Sequence, residues 1–391
     1  MRVKRVSALA FVAALAIVAA GCGSSSNNSS SSTTSASGGG SCGTISIGMM
    51  APITGPAGSI GSDQLHWAQF FVSQWNADSS NSPQLKLVQG DTQLDPAKAS
   101  TVAQQFASNK SIVGVIGPAG SDEVEAAAPI LKKAGLAFAS GSATRVSLTD
   151  GKLGGYFFRD VPNDGVQGPT DADYMMSTLG VAKGDTVMIV DDQESYSTGL
   201  ADIVGKELKN KGVKVDRESV SQKATDFSSL TAKAGNAKVV FLPFQVASEA
   251  QLFAQQLNAQ GSKAVVMGSD GTFDSSKFNT SGAYVSFFAP DVTTVKADAD
   301  TVAAFKKQFP GGTSPFGAPN YVLAQAYATA ISNICKNGDT PTRDNVRTEL
   351  AKVSLDSTIL GNPLSFTSNG DVSGAKFHIF KIENGKYVTV A

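Results

Sequence analysis

The sequence predicts an α/β fold of two doubly wound, parallel-sheet lobes joined by a multi-strand hinge. Three observations predict it. Short β-branched apolar runs alternate with amphipathic helical stretches, the pattern of parallel sheets covered by helices. That alternation runs through one full series and then restarts. The tail beyond the second series is too short for a third domain, so it is expected to pack back onto the first two and make both discontinuous.

In the first series Thr44–Gly48 reads as a strand, and a helix over Asp63–Asn76 places Leu65, Ala68, Val72 and Trp75 on one face. Leu85–Val88 is the second strand. The next helix, Pro96–Asn109, has proline in its first turn, where no N–H is needed. Strand Ile112–Ile116, helix Glu123–Ala134, strand Leu136–Ala139 and strand Tyr156–Arg159 complete the series. The second series runs helix Gly168–Leu179, strand Thr186–Val190, helix Thr198–Lys211, strand Val213–Ser219 and helix Phe227–Ala234. Strand Lys238–Leu242, helix Glu249–Gln260 and strands Ala264–Met267 and Tyr284–Phe288 come next. Helices over Asp298–Gln308 and Asn320–Lys336, then strand-like Gly374–Phe380 and Tyr387–Val390, form the return. The expected lobes are 44–162 plus 290–362 and 163–289 plus 363–391.

Ahead of this body, Arg2, Lys4 and Arg5 precede an uncharged apolar stretch, Val6–Ala20, the make-up of a secretory signal. The expected signal segment is 1–21. Ala-Ala-Gly before Cys22 resembles a bacterial lipobox, which implies that Cys22 becomes the lipidated first residue of the mature chain. Gly23–Ser41 is Ser, Thr, Asn and Gly with one Ala. Such a composition buries too little to order itself, so 22–43 reads as a flexible lipid-anchored tether. The expected location is the outer face of the cell membrane, by lipid anchor.

Charge excludes one class of partner. Without Arg2, Lys4 and Arg5, three of the 32 Lys and Arg, 29 basic residues face 33 acidic ones, a net charge of −4. No basic cluster occurs after residue 5, so nucleic acid is not an expected partner. Once Cys22 is acylated, Cys42 and Cys335 remain, an even pair in an oxidising compartment, open to a bridge or to two inert thiols. The two histidines, His66 and His378, supply no zinc site, and no GxSxG serine is present. A secreted hydrolase using Ser121 or Ser195 lacks a histidine partner in context. No catalytic residue, metal or cofactor is expected.

Ligands of open α/β sheets bind beyond the carboxyl ends of strands. Four such loops carry suitable groups. Gly117–Asp122 leads into a helix whose free N–H groups, with the Ser121 hydroxyl, suit a carboxylate; Ser121 is equally a plain helix cap. Ser140–Thr144 adds the hydroxyls of Ser142 and Thr144. Asp191–Tyr196 brings Tyr196 as a covering wall, and Met267–Gly271 brings Asp270, which could also serve only its turn. Anion-binding groups on one lobe and an acid on the other favour a zwitterion, because a buried charge needs a partner. An α-amino acid is the simplest one.

Several of these residues form a recognisable set: Ile47-Gly48, Gly55-Pro56, Gly61, Gly117 with Ser121, Arg159, Asp164, Gln167-Gly168-Pro169-Thr170, Tyr196-Ser197-Thr198-Gly199-Leu200 and Met267-Gly268. On them the chain resembles the type I periplasmic binding proteins, in particular the branched-chain amino acid (Leu/Ile/Val) binding proteins of ABC importers. The resemblance implies that Ser121, the Ser142 backbone and Thr144 hold the ligand carboxylate. It implies that Asp270, in place of the usual Glu, grips the ammonium, and that Tyr196 walls the pocket. Ile60 and Gln245 stand where the family has aromatic residues. The implied protein is a monomeric, non-enzymatic lipoprotein that passes a small ligand to a membrane permease. The same body could instead be the sensory partner of a signalling receptor.

Overall fold

The computed structural model describes residues 42–295, 298–311 and 314–391. The expected signal segment, Cys22 and the tether up to Ser41 lie outside the described residues.

The first sheet is built from β1 (Thr44–Ala51), β2 (Gln84–Asp91), β3 (Ile112–Ile116), β4 (Ala137–Ser140) and β5 (Phe157–Arg159), linked by α1 (Gly58–Ala77), α2 (Pro96–Ser108) and α3 (Ser121–Lys133). Its strands pair in the order β2-β1-β3-β4-β5, all parallel. β3 is buried at every position, which is why it reads as a continuous apolar run rather than an alternating one.

Helix α4 (Asp164–Ser177) opens the second half. Then come β6 (Thr186–Asp191), α5 (Ser195–Asn210), β7 (Lys214–Ser219), α6 (Ser228–Lys233), β8 (Val239–Leu242), α7 (Ala247–Ala259), β9 (Val265–Gly268) and β10 (Tyr284–Phe287). Helices α8 (Ala299–Gln308), α9 (Gly317–Lys336) and α10 (Arg343–Leu350), then the small hairpin β11 (Ser354–Leu355) and β12 (Leu364–Ser365), lie on the first-sheet side: Val302, Leu323 and Val346 join its core. The chain ends in β13 (His378–Glu383) and β14 (Lys386–Thr389). The second sheet has the order β14-β13-β10-β9-β8-β6-β7, parallel except for the antiparallel β13 and β14. The chain therefore passes between the sheets after β5, after β10 and after β12, which forms the hinge.

Five expectations shift. Helix α4 starts at Asp164, not at residue 168: Asn163 accepts from the Gly165 N–H and starts the helix early. Helices α1 and α9 likewise begin before their expected residues. The strand expected over residues 374–380 forms at His378–Glu383, because pairing with β10 begins only at His378. Helix α10 is not expected from the sequence; it is polar except for the buried Val346 and Leu350.

Two devices fix the first lobe. A disulfide joins Cys42, just before β1, to Cys335 near the end of α9. The Arg343 guanidinium donates to the carbonyls of Phe106, Ala107, Asn109, Ile112 and Ala134 at 2.8–3.2 Å. These carbonyls lie around the ends of α2 and α3, where orphan C=O groups and the helix dipoles favour a cation.

Candidate functional site

In each sheet the strand order reverses beside the first strand of its half. β1 lies between β2 and β3, and β6 lies between β7 and β8. Loops leaving such neighbouring strands diverge and leave a crevice. The crevice of the first sheet is edged by the loop after β1 and by Gly117–Gly120; that of the second is edged by Asp192–Glu194 and by the loop after β8.

Between the two crevices lies a cavity of about 40 Å³, reached by the loop after β1, by Gly120 and Ser121, and by the loops after β8 and β9. Its polar wall holds Ser121 and Ser142 from the first lobe and Tyr196, Gln245 and Asp270 from the second. Its apolar wall is Ala57, Ile60, Leu94, Ala119 and Phe316. Ala57, Ile60 and Phe316 are continuous with the core of the second lobe, and the Phe316 ring lies 4.8 Å from that of Phe287. The lobes are therefore closed on one another.

Gly117 makes the turn into α3 possible. Its φ is +98°, and a Cβ there would sit 2.0 Å from the Met50 carbonyl oxygen. Ser121 is the first residue of α3, and its Oγ accepts from the Arg145 N–H at 3.3 Å. Its hydroxyl proton remains available at the positive end of the helix. Ser142 Oγ accepts from Gln64 Nε2 and donates to the Ala119 carbonyl, both at 2.9 Å. The hydroxyl is thus occupied; the Ser142 N–H makes only a long bond, 3.3 Å, to Ser140 Oγ.

Opposite, Tyr196 OH donates to Asp270 Oδ1 at 2.5 Å and bonds Ser269 Oγ at 2.7 Å. Burial pushes the Tyr196 phenol well above its usual range, so it stays protonated and donates. Burial also raises Asp270 to about 6, against hydrogen bonds from Tyr196 and Gln167 that pull it down. Gln245 does not face the cavity freely: its Nε2 donates to Asp122 Oδ2 at 2.8 Å.

Thr144 departs from the sequence expectation. It is fully buried but does not line the cavity. It lies instead by Asp164, whose pKa reaches about 7 through burial and the charge of Asp270, opposed by Thr144, Arg159 and Arg145. Asp171 is pushed well above the carboxylate range by burial, with the charges of Asp270 and Asp164 adding to it. Asp171 Oδ1 and Gln167 Oε1 are buried without a hydrogen-bond partner among the described residues. Sequence reading takes Asp164 and Gln167 only as markers and passes over Asp171. Their spacing of three and four residues on one helix, ahead of an expected buried strand, is the available signal.

Ser195 Oγ has no partner and Ser121 bonds only the Arg145 N–H, so no Ser–His pair forms among the described residues. His66 stacks on Phe309 with ring centroids 4.4 Å apart.

Two α/β lobes shut over a small cavity at their switch points, one wall donating and the other acidic, define a solute-binding protein of the closing-cleft class. A periplasmic binding protein family model matches residues 44–386, and the chain belongs to that family. It is 28% identical over 355 residues to a Leu/Ile/Val-binding protein homologue of Brucella melitensis, covering 88% of this chain and 93% of that one. Among solved structures, a leucine-binding protein of Thermotoga maritima shares the fold with a TM-score of 0.80 at 18% identity, covering 89% of this chain and 98% of that one. So does a branched-chain amino acid substrate-binding protein of Streptococcus pneumoniae in complex with isoleucine, with a TM-score of 0.77, 24% identity and coverage of 89% and 100%.

Proposed function

We propose that this protein captures an amino acid with a short aliphatic side chain between its lobes and hands it to an ABC importer. The carrying observation is the polarity of the closed cavity: hydroxyl and helix N-terminus on the first lobe, Asp270 with Tyr196 on the second. The ligand carboxylate lies at Ser121 and the Ser142 N–H, and the ammonium lies at Asp270. Asp164, buried behind it with a pKa of about 7, adds negative potential at the ammonium end when ionised. The apolar wall of Ile60, Leu94 and Phe316 receives the side chain, and the small volume favours valine-sized groups over aromatic ones. Ligand contacts to both lobes exist only in the closed form, so binding shifts the hinge equilibrium towards closure.

In this reading the lobes are 44–162 plus 290–362 and 163–289 plus 363–391. The protein acts as a monomer, tethered by lipidated Cys22 outside the membrane. Thermal denaturation across the amino acids, with benzoate as an anion lacking the ammonium, tests it. Valine-sized amino acids should raise the melting temperature in proportion to the logarithm of their concentration above Kd. A response to benzoate and to no amino acid would overturn the assignment.

A further inference from the structure

Helix α5 has no cap of its own: Glu194, the residue before it, makes no side-chain hydrogen bond to the helix. Its first N–H groups are met from the other lobe. Asp122 Oδ1 accepts from the Ser195 N–H at 2.6 Å and from the Tyr196 N–H at 3.2 Å. Asp122 Oδ2 accepts from Gln245 Nε2 at 2.8 Å. One carboxylate on α3 thus reaches both the start of α5 and the loop after β8. Arg145 reinforces the contact from the same side, its guanidinium donating to the Ser195 carbonyl.

We propose that Asp122 is a positioning residue for ligand capture: it caps α5 across the cleft, and so sets Tyr196 and Gln245 over the ligand and holds the lobes shut. The proposal rests on the reading of the protein as an inter-lobe solute trap. A helix N-terminus offers N–H donors and a positive dipole, and a carboxylate is a favoured cap for both. These bonds exist only when the lobes meet. In an open form water replaces them on both partners, so the contact acts on the closure equilibrium. Neighbouring residues divide the work: Ser121 faces the ligand and Asp122 the opposite lobe.

The test uses Asp122→Ala and Asp122→Asn in the intact chain, with L-valine as the probe. Asp122→Ala should raise both Kd and the dissociation rate about ten- to a hundredfold, the scale of a lost charged cap with its hydrogen bonds. Asn caps helices about as well as Asp, and its amide N–H can donate to the Gln245 Oε1 once that amide turns over, so Asp122→Asn should stay within about fivefold of the parent. A merely structural role would not tie this rescue to faster valine release and a more open ligand-free form. Small-angle X-ray scattering of the ligand-free proteins should show the Ala variant more open than the parent. Equal dissociation rates, or equal scattering for the two, would overturn the proposal. If valine fails to bind the parent, the trap reading fails separately, and the scattering comparison still decides the latch.

Discussion

Replacing Asp270 by Asn should abolish tight binding while making the ligand-free protein more stable. The carboxylate is buried beside Tyr196, and burial raises it from the usual 3.8 to about 6. Holding it ionised at pH 7.5 without a cation therefore costs about 3 kcal/mol. The sign follows from linkage: a carboxyl whose folded pKa exceeds its unfolded value penalises folding above the folded pKa, and the penalty fades as pH falls towards 3.8. Asn keeps an oxygen to accept from the Tyr196 hydroxyl and removes the charge. For a body of this size about 3 kcal/mol corresponds to a rise of roughly 4 °C in melting temperature. Binding moves the other way. Removing one member of a buried, hydrogen-bonded charge pair costs about 2–5 kcal/mol, or roughly thirtyfold to several thousandfold in Kd. Calorimetric titration with L-valine and differential scanning calorimetry without ligand, both at pH 7.5, measure the two effects. Binding within threefold of the parent, or a lowered melting temperature, would refute the reasoning.

Acid should weaken capture. With Asp270 near 6 and Asp164 near 7, both carboxyls are increasingly protonated below neutrality; loss of the Asp270 charge alone should raise Kd about tenfold from pH 7 to pH 5, and a flat profile by calorimetry would contradict this. Over the same window the ligand-free protein should gain stability from these groups and from Asp171, seen as a higher melting temperature at pH 5 than at pH 7. Arg343→Ala leaves five carbonyls without their donor and should destabilise the protein by about 2–4 kcal/mol in urea unfolding, with Kd for valine unchanged. Leu94 lines the cavity with a φ of +56°; Leu94→Gly should relieve about 1 kcal/mol of backbone strain and shift preference from valine towards leucine and phenylalanine in competition binding.

Much of the architecture was legible because parallel sheets write a plain code. Ile112–Ile116 is apolar throughout, and its burial on both faces is the reason. Ser121, Ser142, Tyr196 and Asp270 were findable because each comes after a strand end, where α/β folds place their ligands. Other features depend on tertiary neighbours. Helix α10 buries only Val346 and Leu350, too short a stripe to stand out, and is fixed by its cap Thr342 and by Arg343. Helix α4 begins early because Asn163 caps it, while Gly165 and Pro169 read locally as breakers. Thr144 stands two residues from Ser142 yet turns away to Asp164, which spacing along the chain does not reveal. Asp122 looks like an ordinary first-turn acid of α3; only the approach of α5 from the other lobe gives it its partners.

The most direct test of zwitterion capture is calorimetry with three ligands of one shape: L-valine, its α-keto acid and valinamide. The keto acid lacks the ammonium that Asp270 would hold, and the amide lacks the carboxylate that Ser121 and the start of α3 would hold. The account predicts heat of binding for valine and none for the other two at the same concentrations. Equal binding of valine and its keto acid would contradict it.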